Sequence, residues 1–305
     1  MYVLTYHNKT KTRQIKRNYI INQHINQVIF NQRIKRNYIN QQIKSAYLTN
    51  NVSEQHIPLH IYQTWHNKNA IPPSVSECIS NIITCNPLFT HHLCDATECR
   101  EFIKTNFPSI VVDTYDVLIP HAFKADLWRY CMLYINGGIY LDVKYSCINN
   151  FNFITLTDKE YFCKDVDTSQ GGVYNAIIIC KPKNEILLKS IYKIVENVGK
   201  NYYGQHSLSP TGPLMMKQFF STAEINNFEL KLTVNPTCIV TLNDVRILLF
   251  NKNYRTDQKK YDKHWADYWL ERNIYNTQLP QYMNVKLYKP PKSMETVCAP
   301  PADTV

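Results

Sequence analysis

The order of apolar and polar positions separates a polar opening stretch from a body in which strand-like and helix-like patterns take turns. Leu59 to Trp65 (Leu-His-Ile-Tyr-Gln-Thr-Trp) alternates and is rich in β-formers, which predicts a strand. Pro72-Pro73 opens a helix running to about Thr84, because a first turn has no N–H partner to lose. Phe89–Cys94 reads as a second strand. Asp95-Ala-Thr-Glu98 has the form of a capping box and predicts a helix over 96–106. From His121 to Asn136 the residues Phe123, Leu127, Tyr130, Cys131 and Tyr134 form one apolar stripe, and Gly137-Gly138 ends the helix. Ile139–Val143 is a short strand and Asn175–Cys180 a buried one, with a helix following over 184–198. Thr211-Gly212-Pro213 starts another helix, and Cys238–Leu242 and Val245–Phe250 read as late strands. Strands alternating with helices predict an α/β protein.

This pattern sets the expected domains. Residues 1–54 are a basic, Asn/Gln-rich extension in which Ile-Lys-Arg-Asn-Tyr-Ile at 15–20 recurs at 34–39. Ile21, Ile25, Val28 and Ile29 follow helical spacing there, so the stretch suits either a basic amphipathic helix on a membrane or acidic surface or a low-complexity extension without a role of its own. Residues 55–280 form the α/β domain. Residues 281–305 are a Pro-rich tail, expected to be flexible from Pro290 onward.

Charge sharpens the division. The formal net charge is +10, but residues 1–53 hold nine Lys/Arg and no acid, leaving 25 basic against 24 acidic residues in the rest. A nucleic-acid-binding core needs a basic face of its own, which a neutral body makes an unfavoured reading. With 305 residues, 44% hydrophobic and 19% charged, the chain is neither disordered nor fibrous. None of its ten cysteines stands in C-x-x-C spacing, which argues against a zinc ribbon and for reduced thiols in an intracellular, cytoplasmic protein. The opening residues lack the apolar core of a signal peptide, and no apolar run reaches the ~18 residues of a membrane span.

The candidate chemistry gathers around the 121–136 helix. Asp126 and Arg129 stand three apart on one side of it, which suits a simple helical ion pair. The helix stops at a glycine pair, however, and the next strand carries Tyr140 and Asp142 to its end. In an α/β sheet ligands sit beyond the carboxyl ends of strands, so the four residues can also form a polar cluster for sugar hydroxyls and a diphosphate.

The run Phe123-Lys-Ala-Asp126-Leu-Trp-Arg129-Tyr130-Cys-Met-Leu-Tyr-Ile-Asn-Gly137-Gly138-Ile-Tyr140-Leu-Asp142 closely resembles the A-D-x-x-R-Y-x-x-L-y-x-x-G-G-x-Y-x-D signature of family 32 glycosyltransferases. Ile57-Pro-Leu-His-Ile-Tyr-Gln63-Thr-Trp65 is similar to the family's opening strand, and Asn175-Ala-Ile with Thr211-Gly212-Pro213 is a weaker third match. The resemblance spans residues 55–220. It implies a GT-A type fold, a single Rossmann-like nucleotide-sugar-binding domain with a mostly parallel central sheet. It also implies retaining transfer of a sugar from a UDP- or GDP-linked donor to a glycan or protein acceptor. Asp126, Arg129 and Asp142 would be the catalytic set. Trp65 would stack on the base, unless it is a core tryptophan, and Tyr140, Asn175, Gly137 and Gly138 would complete the substrate-binding residues. Heavy use of Asn, Ile, Lys and Tyr, with that family's distribution, points to a virus-encoded protein acting in the host cell.

One departure bears on the metal. The family motif is Asp-x-Asp, whose second acid binds Mn²⁺ or Mg²⁺, and this chain reads Asp142-Val143-Lys144. Either Lys144 offsets the diphosphate charge itself, or a metal is held by Asp142 with a distant ligand such as His264. His264 also reads as a plain surface histidine. Lys144 leaves three functional readings open: an active transferase, a degenerate relative that binds sugar-nucleotide or glycan without transfer, and a membrane or nucleic-acid surface binder working through residues 1–53.

Overall fold

A computed structural model of the chain describes residues 57–165, 171–234, 237–260 and 263–289. The expectations for residues 1–54 and for the tail from Pro290 lie outside them. The described residues form an α/β domain on one nine-stranded sheet, ordered β2-β1-β3-β6-β5-β7-β8-β9-β4. The strands are β1 His60–Thr64, β2 Thr90–Cys94, β3 Gly138–Leu141, β4 Tyr145–Cys147, β5 Tyr161–Asp165, β6 Gly172–Cys180, β7 Leu230–Thr233, β8 Ile239–Leu242 and β9 Val245–Phe250. The sheet is parallel across β2-β1-β3 and between β5 and β7, and antiparallel at its other joins.

The first helices form as their sequences direct. Helix α1 (Pro73–Cys85) starts on its proline pair. In α2 (Ala96–Asn106) the Asp95 side chain accepts from the N–H groups of Thr97 and Glu98, and the Glu98 carboxylate accepts from the Asp95 N–H. Helix α3 (Ser109–Val117) leads into α4 (His121–Asn136), which is buried from Asp126 to Tyr134. The predicted apolar stripe is therefore only part of what α4 buries. Trp128, Met132 and Leu133 go inside as well, and Asp126 and Arg129 are carried in with them. Gly137 (φ 62°) and Gly138 (φ 103°) turn α4 into β3, and a Cβ at Gly138 would stand 2.8 Å from the His60 carbonyl oxygen.

Helix α5 (Glu185–Gly199) packs against α4. Short helices α6 (Pro213–Lys217), α7 (Thr222–Asn226), α8 (Tyr254–Gln258) and α9 (Trp265–Leu270) follow, with α10 (Pro280–Leu287) last. Helix α10 packs on α3 and α5 and buries Val285, so the boundary expected at residue 280 is corrected. Residues 281–287 belong to the folded domain because this helix covers apolar surface on its neighbours.

The crossing from β3 to β4 shapes the site. These strands are consecutive in the chain but third and ninth in the sheet order. Six strand spacings of ~4.8 Å come to ~29 Å across a flat sheet. The four residue steps from Leu141 to Tyr145 reach at most ~14 Å. The sheet therefore curls until its two parts approach each other, and Asp142-Val143-Lys144 bridges the seam. Both ends of the bridge are pinned, since the Asp142 N–H donates to the Ala176 carbonyl at 2.8 Å and the Asn251 N–H to the Lys144 carbonyl at 2.9 Å.

Candidate active site

Strand β1 lies between β2 and β3, so the chain's connections leave it on both sides, and all three strands point their carboxyl ends the same way. A crevice at such a point is where α/β sheets bind ligands. Here it is a cleft of about 230 Å³ bordered by Thr64 and Trp65 after β1, Ala96 after β2, and Asp142 and Lys144 after β3. A larger cavity of about 620 Å³ adjoins it, bordered by Asp126, Asp165, Tyr174, Asn175 and Gly212 among others. Arg129, Asp142, Lys144, Arg255 and Trp265 border both.

Two carboxylates sit at this junction in opposite electrostatic conditions. Asp126 is buried. Its Oδ1 accepts from Asn175 Nδ2 at 2.9 Å and lies 3.1 Å from Arg129 Nη2, while its Oδ2 accepts from Thr211 Oγ1 at 2.7 Å. Burial still pushes its pKa above the ordinary carboxylate value, against the pull of Arg129, Thr211 and Asn175. At Asp142 burial acts in the same direction but loses. Lys144 and Arg129, with hydrogen bonds from Lys144 and Tyr140, hold this carboxyl below its ordinary value. Asp142 Oδ1 accepts from Tyr140 Oη at 2.7 Å and lies 3.4 Å from Arg129 Nη1, and its Oδ2 is 2.5 Å from Lys144 Nζ.

Arg129 holds the cluster together. Its Nη1 donates to the Asn175 carbonyl at 2.6 Å, its Nε to the Ala125 carbonyl at 3.2 Å, and its guanidinium lies 4.2 Å from the centre of the Tyr140 ring. Asn175 Nδ2 also donates to Tyr130 Oη at 2.7 Å, and Tyr130 Oη donates to the Thr211 carbonyl at 3.1 Å. The i,i+3 pair of Asp126 and Arg129 is thus real but buried and shared among four elements, not an exposed helical pair.

The predicted site residues fall into three groups. Asp126, Arg129, Tyr140, Asp142, Lys144 and Asn175 come together as one network. Trp65 borders the cleft but is almost wholly buried, packs with Val75 and Val143, and donates its indole N–H to the Ala70 carbonyl at 3.0 Å. Gly137 and Gly138 stand apart, which corrects their expected part in substrate binding: they lie at the opposite end of β3, against Pro182 and His60, and border neither cavity. Their φ angles and tight packing account for glycine there.

His264 borders the same cleft as Asp142, where its Nδ1 accepts from the Ala266 N–H at 3.3 Å and caps α9. Burial lowers its proton affinity, helped by the cations Arg255, Lys259 and Lys144. The adjacent His91 and His92 pair separately, with Gln63 and His60, as opposite faces of a strand require. Among the described residues no group of three or more His, Cys, Asp and Glu side chains is placed to hold a metal. The donor set expected for Mn²⁺ or Mg²⁺ is Asp142 and His264. One of the two is ion-paired to an ammonium and the other has its Nδ1 engaged in a helix cap, so this set does not fit a divalent cation.

Sequence reasoning missed the parts of Thr211, Tyr130 and Arg255. Thr211 stands in a weak motif match, and Tyr130 falls on the apolar stripe of its helix. Arg255 stands in a stretch with no periodic pattern, and nothing in the sequence singled it out.

An α/β domain with a polar cluster and paired cavities at the carboxyl ends of its strands has the form of a polar ligand site. The chain belongs to the capsular polysaccharide synthesis protein family, which it matches over residues 7–289. It is 36% identical over 95 residues to an uncharacterized glycosyltransferase, L373, of Acanthamoeba polyphaga mimivirus, covering 31% of this chain and 38% of that protein. It is 28% identical over 170 residues to inositol phosphoceramide mannosyltransferase 3 of Schizosaccharomyces pombe, covering 54% and 45%. It is 30% identical over 179 residues to the mannosyl phosphorylinositol ceramide synthase CSH1 of Saccharomyces cerevisiae, covering 56% and 46%. The chain spans under half the length of each of these relatives. Among solved structures, the PaToxG glycosyltransferase aligns with a TM-score of 0.47 at 13% identity, covering 82% of this chain and 93% of that one.

Proposed function

We propose that this chain is a GT-A type, retaining glycosyltransferase that takes a sugar from a UDP- or GDP-linked donor and attaches it to a hydroxyl of a glycan or protein acceptor. The observation that carries this reading is the pair of cavities meeting at Arg129, Asp142, Lys144 and Arg255. A donor lying across that junction has its diphosphate against Lys144 and Arg255, with its sugar reaching the larger cavity beside Arg129 and Asp126. The mannosyltransferase name of the Schizosaccharomyces pombe relative and the glycosyltransferase name of the viral one support the same class.

Transfer breaks the bond between the anomeric carbon and the β-phosphate oxygen. The acceptor hydroxyl oxygen forms the new bond on the same face, and its proton leaves with the nucleoside diphosphate. The positive groups at the junction stabilise the charge that grows on the departing phosphate. Asp142 holds Lys144 in place for that task, and Asp142 and Asp126 fix Arg129 between them.

The test is release of UDP or GDP from a panel of UDP- and GDP-sugars by the full chain, with and without oligosaccharide acceptors. Nucleotide release that depends on Asp142 supports the transferase. The ion pair between Lys144 and Asp142 favours one competing reading, a relative that binds donor without transfer; tight donor binding with no release under any condition would establish it. Absence of nucleotide binding altogether would overturn both.

A further inference from the structure

The charges around the two cavities are unevenly divided. The smaller cleft is bordered by Lys124, Arg129, Lys144, Arg255 and Lys263, with Asp142 as its one carboxylate among the described residues. The larger cavity is balanced, with Asp126, Asp142 and Asp165 against Arg129, Lys144 and Arg255. A diphosphate therefore belongs in the smaller cleft and neutral sugar hydroxyls in the larger.

The cations are not equally available. Lys263 is paired with Glu271, Lys124 lies over the Tyr115 ring at 4.7 Å, and Arg129 is committed to Asp126 and the Asn175 carbonyl. Lys144 shares Asp142 with Arg129 and with the Tyr140 hydroxyl. Arg255 is exposed, lies 5.7 Å from the Phe250 ring centre, and makes no ion pair among the described residues. Lys144 and Arg255 are thus the positive groups left to meet a ligand.

We infer that this cleft neutralises a nucleoside diphosphate with Lys144 and Arg255 in place of a divalent cation. A carboxylate carrying a bound divalent cation and a lone ammonium have the same net charge, one positive unit. The ammonium of Lys144 therefore supplies at position 144 what an acid and its metal would supply together. Asp142 orients that ammonium by accepting from it at 2.5 Å, and a divalent cation on the same carboxylate would stand against the positive charge of Lys144. His264 offers little in compensation, because its Nδ1 is taken up in capping α9, where it accepts from the Ala266 N–H at 3.3 Å.

This inference rests on the reading of the cleft as a donor site, and the experiment separates the two. Binding of UDP and of GDP to the full chain is measured by calorimetry in EDTA and again in excess Mn²⁺ or Mg²⁺. The expected result is the same affinity in both. Lys144→Ala and Arg255→Ala each weaken binding roughly tenfold or more, the loss of a charge-assisted contact to phosphate. Lys144→Arg retains metal-free binding, which shows that the charge and not the fold was lost in the alanine variant. Lys144→Asp loses binding in EDTA and regains it with Mn²⁺, which can be followed directly as loss of the free Mn²⁺ resonance signal. Wild-type binding that disappears in EDTA and returns with metal overturns this inference and leaves the donor site standing. No binding of either nucleotide in either condition overturns both.

Discussion

Replacing Thr211 by valine tests whether Asp126 is held charged in the interior. The hydroxyl of Thr211 donates to Asp126 Oδ2 at 2.7 Å, and the threonine itself is only 1% exposed. Valine keeps the shape, so the change removes one donor without opening a cavity. Oδ1 keeps Asn175 and Arg129, but Oδ2 loses the one donor that the described residues give it. A hydrogen bond to a charged group contributes about 1.5–3 kcal/mol, and stranding the buried acceptor makes the upper half of that range the expectation. The loss also depends on pH. The Thr211 bond lowers the Asp126 pKa, so removing it raises further a pKa that burial has already raised. Destabilisation is therefore largest where Asp126 is ionised and shrinks as pH falls through its folded pKa. The assay is urea unfolding of Thr211→Val, Asp126→Asn and the double variant at neutral pH and under mildly acidic conditions. A coupling energy of about 1.5 kcal/mol or more at neutral pH, reduced in acid, fits the network. Losses that add to within about 0.5 kcal/mol, or that do not change with pH, would refute it.

Asp142 has the opposite sign. Its folded pKa lies below the ordinary 3.8, so its contribution to stability is complete above that value and is lost as pH falls through the folded pKa. Stability curves of the parent and Asp142→Asn should differ by a constant above about pH 5 and converge below 3.8. His91 is lowered from 6.5 to about 4 by burial and by His92, so the unfolded chain binds its proton first and stability should decline as pH drops from 6.5 to 4. A His91→Gln variant should flatten that slope in acid-unfolding curves. Gly138→Ala forces a Cβ to 2.8 Å from the His60 carbonyl oxygen at a φ of 103°. It should lower the melting temperature sharply while leaving nucleotide affinity per folded molecule unchanged, since the glycine lies away from both cavities.

Much of the domain was legible because its elements carry strong local signals. The capping box at Asp95, the proline pair before α1, the glycine pair after α4 and the β-rich run in β6 each settle a local backbone choice by themselves. The missed elements lack such signals. Ser109–Val117 is rich in β-branched residues, which mask the narrow polar face of Ser109, Asp113 and Asp116, and it is helical because Ile110, Val111, Thr114 and Tyr115 are buried among α2, α5 and α10. Strand β4 is three residues long and exists through its pairing with β9, a contact about a hundred residues distant that no local window contains. The same holds for the site. Asp126, Arg129, Tyr140 and Asp142 lie within one α4–β3 unit and could be read together, whereas Thr211 and Arg255 reach the cluster only once the sheet has curled.

That curl also explains why the chemistry at position 144 can differ without cost to the fold. The bridge from Asp142 to Lys144 is a turn, closed by the Tyr145 N–H donating to the Asp142 carbonyl at 3.4 Å. Val143 enters the apolar cluster of Trp65 and Val75 and is 4% exposed, while Asp142 and Lys144 face the junction of the cavities. The backbone is fixed by Ala176 and Asn251 through peptide groups that do not depend on which side chain stands at 144. An acid or a base there is equally compatible with the packing below it. Substitution at Val143 should therefore register as lost stability and at Lys144 as altered ligand binding, although the two residues are neighbours in the chain. Comparable losses of stability at both positions would show that the Lys144–Asp142 pair, and not the apolar side of the bridge, holds the seam closed.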